Sequence, residues 1–100
     1  MPNIKNAKQY SVFDLAKKID LLATKALSKT LALDEQQQGT FTITNFGSVG
    51  VPYGTPIINY PEVAILGIGK IDKKPIIVDN NIEVGYVLPL SLAVDHRIID

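Results

Sequence analysis

Cysteine and tryptophan are absent from the 100 residues, and histidine and arginine each occur once. Without cysteine the chain has no disulfide framework, no thiolate nucleophile and no zinc-finger spacing, which is compatible with a reducing compartment. A single arginine and a formal net charge of +0 provide no basic face for nucleic acid or an anionic membrane. The composition therefore argues against cysteine chemistry and against nucleic-acid or membrane-surface binding.

Long apolar runs are also missing, both at the N-terminus, where a signal peptide would lie, and elsewhere in the chain. Hydrophobic residues make up 46% and charged residues 20%, a balance typical of globular proteins and not of disordered ones. A chain of 100 residues has the length for one hydrophobic core. We therefore expect one soluble, cytoplasmic domain without a membrane partner.

One strong helix signal follows Ser11. Ser11 can cap the helix, and Asp14 lies three residues later, in the arrangement of a capping box. We expect the helix to run to about Lys29, before a polar break at residues 33–39. Apolar residues then recur at helical spacing and form one face, namely Val12, Leu15, Ile19, Leu22 and Ala26.

The chain after Gly39 changes to strand character. Residues 40–46 are β-branched and aromatic, residues 47–56 read as a shaped loop, and residues 62–69 resemble a strand buried on both faces. Residues 75–78 and 82–88 should pair antiparallel, because the asparagines between them tolerate the positive φ of a tight turn. A last strand at residues 90–94 leads to Asp95 and His96, and Ile98 onward would open a helix.

Four other patterns carry simpler interpretations. Gly67-Ile68-Gly69 lacks the third glycine of a dinucleotide fingerprint, since position 72 is Asp72, and indicates close packing inside a strand. The glycines of residues 47–50 are one residue short of the spacing of a nucleophile elbow. A metal site on His96 and Asp100 would need a third ligand that the sequence does not offer. Lys73-Lys74 indicates a solvated turn.

His96 is the candidate for proton transfer, because histidine is the usual general base near neutral pH and this one has no rival. It lies at the end of a predicted buried strand, between Asp95 and Asp100, and the adjacent charges could fix its tautomer. A lone histidine is otherwise more often structural. Asp100 could equally be an acid in the first turn of the following helix.

Five segments in register resemble the catalytic core of the dihydrolipoamide acyltransferases, relatives of chloramphenicol acetyltransferase. The resemblance covers essentially the whole chain. It implies an α/β (α+β) fold, a chloramphenicol acetyltransferase-like mixed β-sheet packed against helices. The matching segments are Thr40-Phe41-Thr42-Ile43-Thr44-Asn45, Thr55-Pro56-Ile57-Ile58-Asn59, Pro61-Glu62-Val63-Ala64-Ile65-Leu66-Gly67, Leu88-Pro89-Leu90-Ser91-Leu92 and Asp95-His96-Arg97-Ile98-Ile99-Asp100.

The resemblance implies acyl transfer between coenzyme A, as substrate, and a dihydrolipoyl group carried on a separate lipoyl domain, with no metal. His96 would be the general base, Thr44 the oxyanion donor and Asp100 a support for the site geometry. Asp95 stands where chloramphenicol acetyltransferase has a second histidine, which favours the dehydrogenase branch. The segment 45–50 is most similar to acetyl-transferring, pyruvate-type members, although succinyl and branched-chain specificities stay open.

The family also implies partners: a homo-oligomeric core built from trimers, with the histidine and the hydroxyl from different subunits, and the other subunits of a 2-oxo acid dehydrogenase complex. Residues 1–100 would be about the C-terminal half of the catalytic domain, without lipoyl and subunit-binding domains. Two functions therefore remain: an acyltransferase, or a truncated, non-catalytic remnant that serves in assembly. Uncovered apolar surface of such a piece would favour self-association.

Overall fold

The computed structural model describes residues 1–51 and 53–100, which form two compact units, 1–39 and 40–100. Pro52, which we assigned to the loop at 47–56, lies outside the described residues. Within those ranges, no helix combines the length and the apolar character that crossing a membrane requires. The candidate chemistry lies in the second unit.

The first unit contains a 3-10 helix, Ala7–Gln9, and one α-helix, α1, at Val12–Leu27. The Ser11 hydroxyl accepts a hydrogen bond of 3.1 Å from the Asp14 backbone N–H, which satisfies one of the free donors at the helix start. The predicted N-cap is therefore confirmed. The helix ends slightly earlier than predicted, because Lys29 takes a left-handed φ of 59° that cannot continue it.

The predicted apolar face of α1 is only partly covered. Leu15 and Leu22 are half-buried, whereas Val12 and Ile19 are exposed. Near the C-terminal end of α1, the Lys25 ammonium lies 3.2 Å from the Glu35 carboxylate, which also accepts a 3.1 Å bond from the Ala32 N–H. An exposed apolar face contributes little to stability in water, so it provides a surface for further packing.

The second unit is built on a three-stranded sheet of β1 (Thr42–Asn45), β2 (Ala64–Ile68) and β5 (Leu90–Val94). The order is β1-β2-β5, with β2 parallel to β1 and antiparallel to β5, so the sheet is mixed as expected. Ala64 and Ile65 in the central strand are only 4% and 5% exposed. The prediction of a strand buried on both faces is confirmed.

Strand β1 is shorter than the predicted 40–46, and its two sides differ. Thr42 and Thr44 are half-buried, while Phe41 and Ile43 are exposed. The covered side is closed by the loop after β1: a Cβ on Gly67, which pairs with Thr44, would lie 2.6 Å from the Phe46 ring. Gly67 therefore serves close packing, as predicted, and the hydroxyls of β1 lie on the covered side of the sheet.

A β-hairpin connects β2 to β5 and consists of β3 (Asp72–Val78) and β4 (Asn81–Val87). Asp79 and Asn80 form its two-residue turn with φ values of 49° and 65°, which confirms the predicted turn. The predicted solvated turn at Lys73-Lys74 is wrong, because both residues lie in β3 and pair with residues of β4. The Lys73 ammonium instead lies over the ring of Tyr86 in β4, and the Lys74 ammonium lies over the ring of Tyr53 in the loop.

Gly47 is the position in this unit where a side chain would be least tolerated. A Cβ there would collide with the Gly69 carbonyl, lying 2.6 Å from its carbon and 2.9 Å from the Lys70 nitrogen. Backbone cannot move away as a side chain can, so we expect Gly47→Ala to lower the free energy of unfolding by about 2–4 kcal/mol. Gly50→Ala is the matched control, because its φ of 82° adds strain without any contact within 4 Å. Urea unfolding would show a smaller loss, about 1 kcal/mol, for the control.

Candidate active site

His96 is presented by a tight turn at the end of β5. The Asp95 N–H donates to the Val63 carbonyl at 2.8 Å, which extends the pairing with β2 by one residue. The chain then turns, and the Asp95 carbonyl accepts bonds of 3.0 and 2.9 Å from the N–H groups of Ile98 and Ile99. The delivery of His96 by the last strand is confirmed. Residues 96–98 form a turn, where we predicted that a helix would open at Ile98.

Asp95 and Arg97 form a bidentate ion pair around His96. The Arg97 guanidinium donates to the two carboxylate oxygens at 2.9 and 2.8 Å, and the Arg97 backbone N–H donates to Oδ1 at 3.1 Å. These bonds hold the pKa of the Asp95 carboxyl below its usual range, the side-chain bond being the largest cause. Both carboxylate oxygens bond to Arg97, and among the described residues Asp95 makes no hydrogen bond to the imidazole, so it does not fix the tautomer directly as we expected.

The depressed pKa of Asp95 makes a small part of the stability pH-dependent. The ion pair stabilises the fold fully above the pKa of an unfolded aspartate, about 4, and is lost as the pH falls through the lower folded value. We therefore expect wild-type protein to lose slightly more stability than Asp95→Asn between pH 6 and pH 3. Urea unfolding at both pH values measures the difference, and parallel losses in the two proteins would contradict it.

The His96 side chain is exposed and borders a cleft of about 380 Å³. Within residues 1–51 and 53–100, no hydrogen bond from another residue fixes its imidazole, so both ring nitrogens remain available to a ligand. A neutral imidazole of this kind can take a proton from an acidic group placed in the cleft. The walls are Ile58, Tyr60, Glu62, Val94 and the segment 95–97.

Glu62 is the wall residue that the sequence analysis did not assign. Its carboxylate accepts a bond of 2.5 Å from the Thr42 hydroxyl and one of 3.1 Å from the Asn59 side-chain amide. The sequence did indicate a role for Glu62, because it is a charged residue two positions before the buried strand β2. Two donors hold the carboxylate in place, so it contributes a fixed negative charge to the cleft.

Thr44 and His96 are not neighbours within one chain. Thr44 pairs with Gly67, which pairs with Ser91, whereas His96 follows five residues later along the chain. At about 3.3 Å per residue and 4.8 Å per strand, this places them about 15 Å or more apart. Within one chain, the two groups are therefore too far apart to contact the same reacting atoms.

Asp100 lies four residues after His96, beyond the turn, and is exposed. No hydrogen bond to its carboxylate occurs among the residues described. Across residues 1–51 and 53–100, no group of three or more histidine or acidic side chains is arranged to hold a metal ion. The chemistry of the cleft therefore rests on one imidazole, its adjoining ion pair and the fixed Glu62 carboxylate.

The mixed sheet, whose last strand leads to His96 beside an open cleft, belongs to the acyltransferase catalytic-domain fold of the solved structures that the chain matches. The chain belongs to the family described as 2-oxoacid dehydrogenases acyltransferase (catalytic domain), which it matches over residues 1–100. It is 61% identical over 100 residues to the dihydrolipoyllysine-residue acetyltransferase component of pyruvate dehydrogenase complex from Acholeplasma laidlawii. The match covers all of this chain and 18% of that relative.

Two solved structures share the fold closely. The dihydrolipoamide acetyltransferase of Azotobacter vinelandii aligns with a TM-score of 0.93 and 43% identity, over 99% of this chain and 41% of that chain. That work examined a serine, a histidine and an asparagine in the catalytic mechanism of the Azotobacter enzyme. The cubic core of a pyruvate dehydrogenase multienzyme complex aligns with a TM-score of 0.93 and 44% identity, with the same coverage.

Proposed function

We propose that this chain forms part of an acetyltransferase of a pyruvate dehydrogenase-type complex. The names of its relatives state acetyl transfer on a dihydrolipoyl group for those proteins. We infer that this chain would transfer the acetyl group between such a dihydrolipoyl group, on a lipoyl domain, and coenzyme A. The observation that carries the proposal is His96, held on its turn beside an open cleft with no hydrogen bond to its ring among the described residues. Residues 1–100 would belong to one catalytic domain.

The spacing of the candidate residues supports their roles. In the Azotobacter enzyme the histidine follows the serine by 52 positions, and the asparagine follows the histidine by four. Thr44, His96 and Asp100 have the same two intervals. Threonine keeps the hydroxyl of serine. Aspartate replaces the amide of asparagine by a carboxylate, which can still support the geometry but cannot donate a hydrogen bond when ionised.

The reaction needs one base and one oxyanion donor. His96 would take the proton from the thiol of dihydrolipoamide, and the resulting thiolate would attack the carbonyl carbon of acetyl-coenzyme A. The Thr44 hydroxyl would donate a hydrogen bond to the oxyanion of the tetrahedral intermediate. Collapse breaks the bond to the coenzyme A sulfur, which takes the proton back from His96, so the base is regenerated. No metal takes part in these steps.

The separation of Thr44 from His96 supports a site shared between subunits. A span of about 15 Å cannot be bridged by one tetrahedral centre, because a base and an oxyanion donor must each lie within about 3 Å of the reacting atoms. Two copies facing each other would supply one group each. A trimer arranged head-to-tail would then hold three equivalent sites.

Acetyl transfer by the chain itself is the direct test. Purified protein is mixed with acetyl-coenzyme A and dihydrolipoamide, free coenzyme A and S-acetyl-dihydrolipoamide are quantified by chromatography, and the mass in solution is measured. We expect transfer that saturates with both substrates and accompanies an oligomer. A folded oligomer without transfer would contradict the proposal and favour the non-catalytic alternative. Succinyl- and branched-chain acyl-coenzyme A, assayed in parallel, test the acyl specificity.

A further inference from the structure

We propose that the Asp95–Arg97 ion pair positions His96 and cancels the negative charge beside it, so that the imidazole can act as a base. The inference rests on the proposed function for its consequence in catalysis, and on the geometry of the turn for its mechanism. Asp95 and Arg97 touch no reacting atom in this scheme. They are positioning residues that act through His96.

Asp95 links the residues on both sides of His96. Its carbonyl accepts from the backbone N–H groups of Ile98 and Ile99, and Oδ1 accepts from the Arg97 N–H at 3.1 Å. The guanidinium then closes over the carboxylate with two further bonds of 2.9 and 2.8 Å. The residues before and after His96 are therefore linked directly, which leaves the histidine backbone little freedom.

Arg97 also balances the charge of Asp95 beside His96. A free carboxylate adjoining a general base would favour the protonated imidazole, which cannot accept the thiol proton. The bidentate guanidinium supplies the opposite charge at hydrogen-bond distance and removes most of that effect. Arg97 can do so while mostly in solvent, since its side chain is 88% exposed and that of Asp95 only 22%.

The other groups that face the cleft do not replace this pair. Glu62 is occupied by Thr42 and Asn59, and Tyr60 is neutral near pH 7. Asp100 lies four residues beyond His96 and is not among the residues that line the cleft. Arg97 is the cation among the residues lining the cleft.

The chain carries one histidine, so its imidazole gives a single reporter in proton NMR. We expect the midpoint of its pH titration to rise by about half a pH unit in Arg97→Gln and to fall by a similar amount in Asp95→Asn. The double variant should titrate near the wild type. Lys73→Gln, which removes a cation from the hairpin, is the matched control and should leave the midpoint unchanged. Shifts in the same direction, or below 0.1 unit, would overturn the inference.

Steady-state kinetics distinguish the effect of Arg97 on the orientation of His96 from the effect of its charge. Arg97→Lys retains the positive charge without the bidentate fork, so it should keep the wild-type midpoint while kcat falls several-fold and KM stays within about twofold. Arg97→Gln should lower kcat roughly tenfold. An unchanged kcat in both variants would overturn the positioning role. The NMR titration needs no turnover, so opposite shifts in an inactive chain would refute the proposed function while leaving the charge cancellation intact.

Discussion

Replacing His96 with alanine is expected to lower kcat for acetyl transfer by about 10²–10⁴-fold, the contribution typical of a positioned general base. The loss should lie in kcat, because the imidazole acts on the thiol proton and contributes little to holding coenzyme A. Initial rates at saturating acetyl-coenzyme A and dihydrolipoamide measure the effect.

The control for this substitution is folding. His96 is exposed and, among the described residues, receives no side-chain hydrogen bond, so His96→Ala should change the free energy of unfolding by less than about 0.5 kcal/mol. His96→Gln keeps a polar side chain of similar reach without a base and should be as inactive as the alanine variant. Wild-type activity in either variant, with normal stability, would refute the assignment of His96 as the base.

Replacing Thr44 with valine is expected to lower kcat by about 10²–10³-fold with little change in KM, because the hydroxyl binds charge that exists only in the transition state. Valine has nearly the shape of threonine, so packing on the covered side of β1 is retained. Thr44→Ser preserves the donor and should retain most activity. Thr40→Val is the matched control, since Thr40 is exposed and precedes β1. Equal activity in Thr44→Val and Thr40→Val would exclude the oxyanion role.

Mixing the two inactive variants tests whether they act across subunits. If His96→Ala and Thr44→Val chains are unfolded, mixed in equal amounts and refolded together, a site with an intact base and an intact hydroxyl arises at about one interface in four. About a quarter of wild-type activity should therefore return, although each variant alone is inactive. No recovery in verified mixed oligomers would show that both groups act within one chain.

Elements with local signals were predictable from the sequence. The Ser11 cap, the Asp79-Asn80 turn and the apolar run around Ile65 each depend on residues adjacent in sequence, and each was confirmed. The end of β5 was predictable for the same reason, because a largely apolar strand leads directly to Asp95 and His96. The identity of the family followed from several such segments in fixed order.

The remaining features depend on contacts between distant segments. The outward orientation of Phe41 and Ile43 follows from which face of the sheet the later loop covers. Lys73 and Lys74 joined a strand because β4 pairs with them from beyond the turn. The Asp95–Arg97 pair lies in one short segment, yet the sequence could not distinguish a carboxylate bound to Arg97 from one bound to the imidazole.

The distance between Thr44 and His96 has a consequence for how the protein would behave on dilution. In a single chain, His96 would have no oxyanion donor within reach of the same reacting atoms. The monomer would therefore be inactive towards acetyl-coenzyme A. Turnover per molecule would then rise steeply with protein concentration and reach a plateau once assembly is complete. Newly made, unassembled chains could not consume acetyl thioesters. The appearance of activity would itself indicate that the oligomer had formed.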